Sequence, residues 1–327
     1  MITTVKYLSV YFKKNSNAIA KRRFMCYTVK TEGGDTVTVT EQAYAKINYY
    51  LEITGRRADG YHELETVMQT VSLADTLTVT RTAGEGVTLD AGGVLPADDS
   101  NLVNRAAYAY FAASGKPFGC HAVLEKHIPM EAGLGGGSAD AAAMLRALNR
   151  LDNDRYSAAE LEKIAAEIGA DVPFLVQGGT ALCHGVGERL TPVSSTLQAH
   201  FVVAKMGEGV STPVAFSVLD SHFDNFADFR SAYTVAPLLA GLQAGEADAV
   251  AAGLFNRFES VVADARPAVG ALLSFLHRAG APAAMSGSGP SVFGIFTDAA
   301  DAEAAARALR EMGAAAFVCT PIDRLKA

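Results

Sequence analysis

Residues 129–142 read PMEAGLGGGSADAA, with four glycines inside the five positions 133–137. Glycine is costly to order and weakens a regular element, so such a run makes sense where the backbone must approach a ligand closely. Ser138 is a suitable N-cap for a helix that the spacing predicts over residues 138–151. The free N–H groups and the positive end of that helix would face the glycines, and this arrangement binds phosphate.

Two other phosphate-binding loops do not match this stretch. A Walker A loop ends in Gly-Lys-Ser or Gly-Lys-Thr, whereas Gly137 is followed directly by Ser138. A dinucleotide fingerprint needs a strand that runs straight into G-x-G-x-x-G, but residues 126–132 intervene and Ser138 takes the place of the third glycine. A flexible turn without a ligand is the remaining alternative, although turns rarely need four glycines with a helix cap behind them.

The composition is that of a folded chain. Its 327 residues are 50% hydrophobic and 19% charged, which suits two modest domains or one large one. No uninterrupted apolar run approaches the ~18 residues that indicate a membrane span. The net charge of -7 argues against a nucleic-acid partner, but not against an anionic small molecule, which needs only a few local cations.

The four cysteines form no C-x-x-C pair and stand far apart in the sequence. This spacing favours buried or idle thiols in a reducing compartment over a zinc site or a disulfide framework. We therefore expect a cytoplasmic protein with no membrane partner. The pattern carries no information on the oligomeric state.

The first thirty residues are basic and contain no acidic side chain. Their apolar stretch is too short and too mixed for a secretory signal. We expect residues 1–35 to be a disordered N-terminal extension, with Met25 as the true start of the protein. A dispensable arm and an organelle transit peptide are the alternatives. The basic residues are Lys6, Lys13, Lys14, Lys21, Arg22, Arg23 and Lys30.

Beyond residue 35 the chain alternates between strand-like and helical segments. Residues 36–40, 43–53 and 73–80 show the pattern of half-buried strands, whereas alanine-rich stretches such as 101–113 have helical spacing. Either Asp99 or Ser100 would cap that helix. A change in character near residues 180–200 predicts two α+β domains, which we place at residues 36–190 and 191–327.

Two charged side chains stand in apolar segments. Lys46 lies in a predicted strand and must reach solvent or a partner, and Asn48 shares its face of that strand. Asp171 precedes Pro173, where it could cap a short helix or act on a ligand. A carboxylate beside a lysine can accept a hydroxyl proton during phosphoryl transfer. From these segments alone, an outward-pointing lysine and a capping aspartate remain open.

Residues 129–138 resemble the second signature motif of the GHMP kinases, P-x-x-x-G-L-G-G-G-S, a loop that wraps nucleotide phosphates. Residues 45–48 and 169–173 resemble the first motif and the segment of the catalytic aspartate, and residues 286–291 resemble a glycine turn that packs on the loop. The resemblance extends from about residue 43 to residue 296. It implies the two-domain GHMP fold: an N-terminal ribosomal-protein-like α/β domain, a C-terminal ferredoxin-like α+β domain, and an active site in the cleft between them.

The resemblance implies an ATP-dependent small-molecule kinase, with Asp171 as the general base and Lys46 as its partner. Phosphoryl chemistry adds Mg²⁺, for which the sequence shows no dedicated cage and only Ser138 as a candidate ligand. Ala139 and the pair Glu131 and Ala132 depart from residues common in the family. The residues assigned to ATP are Asn101, Lys126, Pro129, Met130, Glu131, Ala132, Gly133, Leu134, Gly135, Gly136, Gly137, Ser138 and Ala139.

Residues 57–62, RADGYH, resemble the signature of GHMP kinases whose acceptor is a methylerythritol carrying a cytidine diphosphate. In those enzymes a tyrosine stacks on cytosine and a histidine reads its edge, and these roles fall on Tyr61 and His62. Asn48, Thr212 and Phe216 are assigned to the same acceptor. The implied reaction is phosphorylation of its 2-hydroxyl in non-mevalonate isoprenoid biosynthesis. The alternatives are a GHMP kinase for another alcohol, of the homoserine or mevalonate type, and a relative that binds nucleotide without catalysis.

Overall fold

The computed structural model describes residues 2–4, 8–9, 23–24, 27–32, 36–222 and 234–325. Within those ranges no helix is long and apolar enough to cross a membrane. The strands there are β1 (Ile2–Thr4), β2 (Leu8–Ser9), β3 (Arg23–Phe24), β4 (Tyr27–Glu32), β5 (Thr36–Arg56), β6 (His62–Thr82), β7 (Gly86–Asp90), β8 (Gly119–Glu125), β9 (Thr180–Gly185), β10 (Arg189–Pro192), β11 (His200–Lys205), β12 (Phe255–Asn256), β13 (Ala283–Met285), β14 (Val292–Phe296) and β15 (Ala315–Cys319). The helices there are α1 (Leu102–Ser114), α2 (Gly136–Leu151), α3 (Ala158–Ala166), α4 (Val172–Gln177), α5 (Thr212–His222), α6 (Ala236–Ala244), α7 (Ala247–Ala252), α8 (Glu259–Ala265), α9 (Pro267–Arg278) and α10 (Ala299–Glu311).

Two long strands, β5 and β6, lie at the centre of the larger sheet, whose path runs β1-β4-β5-β6-β8-β7 with β9, β10 and β12 paired beside it. The antiparallel register of β5 and β6 shifts between Tyr44 and Lys46, and again between Asn48 and Tyr50. Such shifts are β-bulges, which bend a strand and re-aim its side chains. Lys46 and Asn48 therefore lie on a short segment of β5 that the bulges set apart from the regular ladder.

Helix α2 is fixed to β5 by a buried ion cluster. The Nε atoms of Arg146 and Arg150 each donate to a different oxygen of Glu41 at 2.9 Å. Arg146 also donates to the carbonyl oxygens of Leu175 and Gln42. Buried charges are tolerated where they are paired and hydrogen-bonded, as they are here. The cluster fastens the second half of α2 to the sheet.

The smaller sheet has the order β13-β14-β11-β15 and is buried on both faces. Phe201 and Val203 of β11 belong to the core shared with the larger sheet, whereas Val202 and Ala204 belong to a second core formed with α8, α9 and α10. Successive side chains of a strand point to opposite faces, so one strand serves both cores. The two halves of the chain are joined through this sheet.

The larger sheet begins before residue 36. The backbone of β4 pairs antiparallel with β5, from Tyr27 opposite Glu41 to Glu32 opposite Thr36. A strand edge with unpaired N–H and C=O groups is a template for such pairing, so residues 27–32 join the sheet although the sequence assigned them to an extension. Most of that extension lies outside the described residues, and its disorder and the boundary at residue 190 stay predictions.

The three cysteines with described side chains, Cys120, Cys183 and Cys319, are buried and unpaired with one another. Burial raises the pKa of Cys120 to about 11 and that of Cys319 to about 12, and it also raises the pKa of Cys183. Because the thiolate is the nucleophile, we expect iodoacetamide at pH 8 to modify them at least about tenfold more slowly in the native than in the unfolded protein. Mass spectrometry of the cysteine peptides measures both rates, and equal rates would contradict this burial.

Candidate active site

Helix α2 begins two residues before Ser138. Its N-cap is Gly135, with φ 71° and ψ 21°, a left-handed conformation that glycine adopts without the penalty of a Cβ atom. The prediction of Ser138 as the cap was wrong because the backbone turn at Gly135 starts the helix, whereas Ser138 lies in the first turn. The first N–H groups of a helix have no intrahelical acceptor. Gly136, Gly137 and Ser138 therefore offer backbone donors where the glycines meet the helix.

The beginning of the loop is attached to the end of β11 and to the segment that follows that strand. Lys205 Nζ donates to the Met130 carbonyl at 2.6 Å, and the Val210 N–H donates to the Glu131 carbonyl at 3.2 Å. Glu131 has φ 48°, in the left-handed region that favours glycine. The loop thus has a fixed conformation that contacts both halves of the chain.

A second glycine turn, residues 286–291, packs on the loop as the sequence predicted. Ser286 Oγ donates to the Gly133 carbonyl at 3.0 Å, and the Ser291 N–H donates to the Ala132 carbonyl at 3.2 Å. Gly133 has φ 72°, and a Cβ atom there would stand 2.1 Å from the Ser286 carbonyl oxygen. Only glycine fits at this contact, because a side chain would collide with backbone.

Lys46 lies beneath the loop. Its backbone N–H leaves the β ladder at the bulge and donates to the Leu134 carbonyl at 3.0 Å. Its side chain is buried, and Nζ donates to Asn48 Oδ1 at 2.8 Å, so the two residues share a face as the spacing predicted. Asn48 in turn donates to Thr66 Oγ1 at 2.8 Å. The ammonium is held at a fixed position, and the outward-pointing alternative is wrong.

Asp171 lies opposite that ammonium, with Oδ2 3.7 Å from Lys46 Nζ. It occupies the N-cap position of α4, yet its side chain makes no capping hydrogen bond. Its carboxylate is 35% exposed, while the Lys46 side chain is only 5% exposed. Asp171 therefore does not cap α4 through its side chain. The carboxylate remains available to a group that enters from solvent.

Lys126 lies at the other side of the loop, between two buried carboxylates. Its Nζ donates to Asp75 Oδ2 and, at 2.6 Å, to Asp140 Oδ2. Burial raises the pKa of Asp140 above its usual range, while the Lys126 ammonium opposes that rise. Lys126 Nζ is 3.5 Å from the point where a Cβ atom of Gly136 would stand. The ammonium is therefore close to the first residue of α2.

The residues predicted for the acceptor come together only in part. The His62 ring stacks on Phe216 with centroids 4.6 Å apart, and His62 Nε2 lies 2.8 Å from Asp220 Oδ1. Tyr61 is 64% exposed. Thr212 Oγ1 lies 3.1 Å from the hydroxyl of Ser288, in the second glycine turn. Helix α5, which carries Thr212 and Phe216, thus contacts both the second glycine turn and His62, the neighbour of Tyr61.

Asn101 caps α1, where Asp99 or Ser100 had been predicted. Its Oδ1 accepts from the Val103 N–H at 2.9 Å, and its Nδ2 donates to the Pro96 carbonyl at 2.7 Å. The alternatives Asp99 and Ser100 were wrong because the extended backbone, φ -73° and ψ 130°, occurs at Asn101. The next residue of α1 lies beside Gly137, since Leu102 Cδ1 is 3.5 Å from the position of a Cβ there.

Several residues that support the site were not found from the sequence. Asn256 Nδ2 donates to the carbonyl oxygens of Met285 and Gly287, and so shapes the second glycine turn. Asp75, Asp140 and Asp220 contact predicted site residues from separate elements. The one signal in the sequence that could have indicated Asp75 and Asp140 is that each is an acidic residue within a largely apolar segment.

Comparisons with known proteins show the family of the chain. Residues 101–179 match the family described as GHMP kinases N terminal domain, and residues 238–315 match GHMP kinases C terminal. The chain belongs to the GHMP kinase family, and the α+β fold implied by the motifs is confirmed.

Similar members of the family share one name. The chain is 39% identical over 289 residues to "4-diphosphocytidyl-2-C-methyl-D-erythritol kinase" of Desulfitobacterium hafniense (strain Y51), covering 86% of this chain and 95% of that one. It is 41% identical to the protein of that name in Synechococcus elongatus, covering 84% and 91%. A crystal structure of 4-(cytidine 5'-diphospho)-2C-methyl-D-erythritol kinase matches with a TM-score of 0.72 at 35% identity, covering 86% and 98%. A homoserine kinase from Cytophaga hutchinsonii, 18% identical with a TM-score of 0.70, shares the fold.

Proposed function

We propose that this chain transfers the γ-phosphoryl group of ATP to the 2-hydroxyl of 4-diphosphocytidyl-2-C-methyl-D-erythritol, a step of non-mevalonate isoprenoid biosynthesis in the cytoplasm. The observation that carries the proposal is the pair Lys46 and Asp171, 3.7 Å apart beside a glycine loop at a helix N-terminus. The names of the relatives at about 40% identity supply the acceptor. Phosphoryl transfer needs positioning, charge neutralisation and a proton acceptor, and the site offers a group for each.

Asp171 acts as the general base. Its carboxylate accepts the proton of the 2-hydroxyl as that oxygen bonds to the γ-phosphorus, and the bond to the β,γ-bridging oxygen breaks to release ADP. Lys46 keeps the carboxylate oriented and stabilises the negative charge that develops around the phosphoryl group. Because Asn48 and the Leu134 carbonyl already hold Lys46, this charge is in place before the substrates bind.

The nucleotide phosphates bind at the N-terminus of α2. The backbone donors of Gly136, Gly137 and Ser138 face them, and Lys126 adds a positive charge near the first of these residues. The described residues contain no group of three or more His, Cys, Asp or Glu able to hold a metal ion. This suits nucleotide-bound Mg²⁺, which takes most ligands from phosphate and water, and we expect Ser138 to contact it. When bound, the ion neutralises the β- and γ-phosphates.

The cytidine end of the acceptor binds near Tyr61, His62 and Phe216. Tyr61 is exposed and free to stack on a base, while Phe216 and Asp220 hold His62 in a fixed orientation. Binding energy from this remote part of the substrate helps to orient the reacting hydroxyl at Asp171. Thr212 and Asn48 complete the contacts that we propose for the acceptor.

Replacing Tyr61 by alanine is expected to raise the KM for the cytidylated alcohol by about tenfold, because stacking of a base on an aromatic ring contributes ~1–3 kcal/mol. The KM for ATP should stay within about twofold, since Tyr61 does not belong to the loop. Steady-state kinetics with each substrate varied in turn measures both constants. Tyr61→Phe, which keeps the ring, is the matched control, and its KM for the cytidylated alcohol should equal that of the wild-type protein. A rise confined to the KM for ATP would contradict the acceptor site.

The reaction itself is tested on its products. The chain is incubated with ATP, Mg²⁺ and the cytidylated alcohol, and phosphorus NMR follows the new monophosphate ester. One equivalent of ADP for each ester on the 2-position is the expected result. Inorganic phosphate in place of the ester would mean ATP hydrolysis, and would overturn the proposed transfer.

A further inference from the structure

The Lys126 ammonium donates to more carboxyl groups than it needs. Asp75 and Asp140 both accept from Nζ, and the side chains of all three residues are at most 8% exposed. Asp75 Oδ1 also accepts the N–H groups of His127 and, at 2.8 Å, Ile128, so Asp75 orders the backbone that leads into the loop. One carboxylate would be enough to pair one buried ammonium.

The second carboxylate, Asp140, carries a cost. Its Oδ1 is buried and has no hydrogen-bond partner among the described residues. A buried polar atom without a partner destabilises the folded state, and most such atoms in proteins are paired. Stability alone therefore does not explain a carboxylate at this position. A contribution to the neighbouring nucleotide site would explain it.

The location of the cluster indicates that contribution. Asp140 belongs to α2, four residues after Gly136, and Lys126 Nζ is 3.5 Å from the point where a Cβ of Gly136 would stand. An ammonium has three N–H donors, and the two carboxylates engage two of them. The third remains for a ligand at the start of the helix. A long lysine side chain has many rotamers, and a side chain already ordered before binding loses less entropy when the ligand arrives.

We propose that Asp75 and Asp140 are positioning residues for the nucleotide: they hold the Lys126 ammonium at the N-terminus of α2, with one N–H left for a phosphate. The proposal rests on the nucleotide site described under the proposed function. Neither carboxylate touches the nucleotide in this account, because both act through Lys126.

The test is a double-mutant cycle on nucleotide affinity. Calorimetric titration with Mg²⁺ and a non-hydrolysable ATP analogue gives the Kd of each variant. We expect Asp140→Ala and Lys126→Ala each to weaken binding by about tenfold, and the double variant to be no weaker than Lys126→Ala alone. Asp140→Asn keeps an oxygen that can accept from Lys126 and should stay within about threefold of the unchanged chain. Asp140→Ser, too short to reach the ammonium, should repeat the loss and serves where the alanine variant does not fold.

A second buried cluster on α2 supplies the control. Glu41→Gln weakens the pairing of Glu41 with Arg146 and Arg150, so it should lower the thermal unfolding midpoint while the Kd stays within about threefold. In kinetics, Asp140→Ala should raise the KM for ATP and leave the KM for the alcohol unchanged.

Two results would overturn the proposal. Losses that multiply to about a hundredfold in the double variant would mean that Asp140 does not act through Lys126, and an unchanged Kd for Asp140→Ala would mean that it does not act at all. If the unchanged chain binds no analogue, the proposed function falls, and this proposal falls with it.

Discussion

Replacing Asp171 by asparagine is expected to lower kcat by roughly 10²–10⁴-fold, the usual contribution of a general base. The amide cannot accept the hydroxyl proton, whereas its size and polarity match the carboxylate. Lys46 keeps its hydrogen bond to Asn48, so the ammonium is not left without a partner and the thermal unfolding midpoint should change little. Single-turnover measurements with saturating ATP and alcohol separate this loss from effects on binding.

A capping aspartate elsewhere in the chain supplies the matched control. Asp298 caps α10, with its side chain accepting the N–H groups of Ala300 and Asp301, whereas Asp171 makes no such bond at α4. Asp298→Ala should therefore cost about 1 kcal/mol of stability and leave kcat unchanged. Asp171→Ala should lower kcat and leave the stability unchanged. Near-normal turnover in Asp171→Asn, or a stability loss in Asp171→Ala equal to that of Asp298→Ala, would contradict the assigned role.

Replacing Gly133 by alanine is expected to disrupt the loop and the turn that packs on it. The new Cβ would stand 2.1 Å from the Ser286 carbonyl oxygen and 3.0 Å from the Gly289 nitrogen, and both are backbone atoms that cannot rotate away. The left-handed conformation adds ~1–2 kcal/mol and the collision adds ~1–3 kcal/mol. Urea unfolding should show a total loss of roughly 2–5 kcal/mol, and nucleotide affinity should fall by at least about tenfold.

A second glycine, Gly280, separates the effect of backbone strain from the effect of the collision. It has φ 80°, like Gly133, but a Cβ atom there would meet nothing within 4 Å. Gly280→Ala should therefore cost only the ~1–2 kcal/mol of backbone strain and leave the Kd for the ATP analogue unchanged. Equal effects of Gly133→Ala and Gly280→Ala on both stability and affinity would mean that the contact between loop and turn is not important for the nucleotide site.

The loop itself could be predicted from the sequence, because four close glycines followed by a helical pattern have few structural explanations. The start of α2 could not. Capping rules favour the hydroxyl of Ser138, while the helix in fact starts at the left-handed turn of Gly135, and positive φ at a particular glycine is not readable from spacing. The cap of α1 was missed for a related reason, since Asp99, Ser100 and Asn101 are all good caps and only the backbone selects one.

The pairing of Lys46 with Asp171 could not be derived from periodicity. The two residues are far apart in sequence, and the bulges that turn Lys46 toward the loop leave no clear pattern in the sequence of β5. Resemblance to the GHMP kinases placed both in one site, and the structure brings them within 3.7 Å. Lys126 was predicted, but its pairing with Asp75 and Asp140 was missed, because Asp75 lies in β6, Asp140 lies in α2, and spacing in the sequence does not show that they meet.

Phosphorylation of a cytidylated alcohol at this site is tested most directly by ADP release with Mg²⁺ and ATP when different alcohols are offered separately. The cytidylated methylerythritol should be used at least about a hundredfold more efficiently, by kcat/KM, than mevalonate, homoserine or galactose, because only it carries a cytosine for Tyr61 as well as a hydroxyl for Asp171. Efficient use of an alcohol without cytidine would contradict the acceptor site and keep the kinase. No release with any of the four would contradict the proposed function.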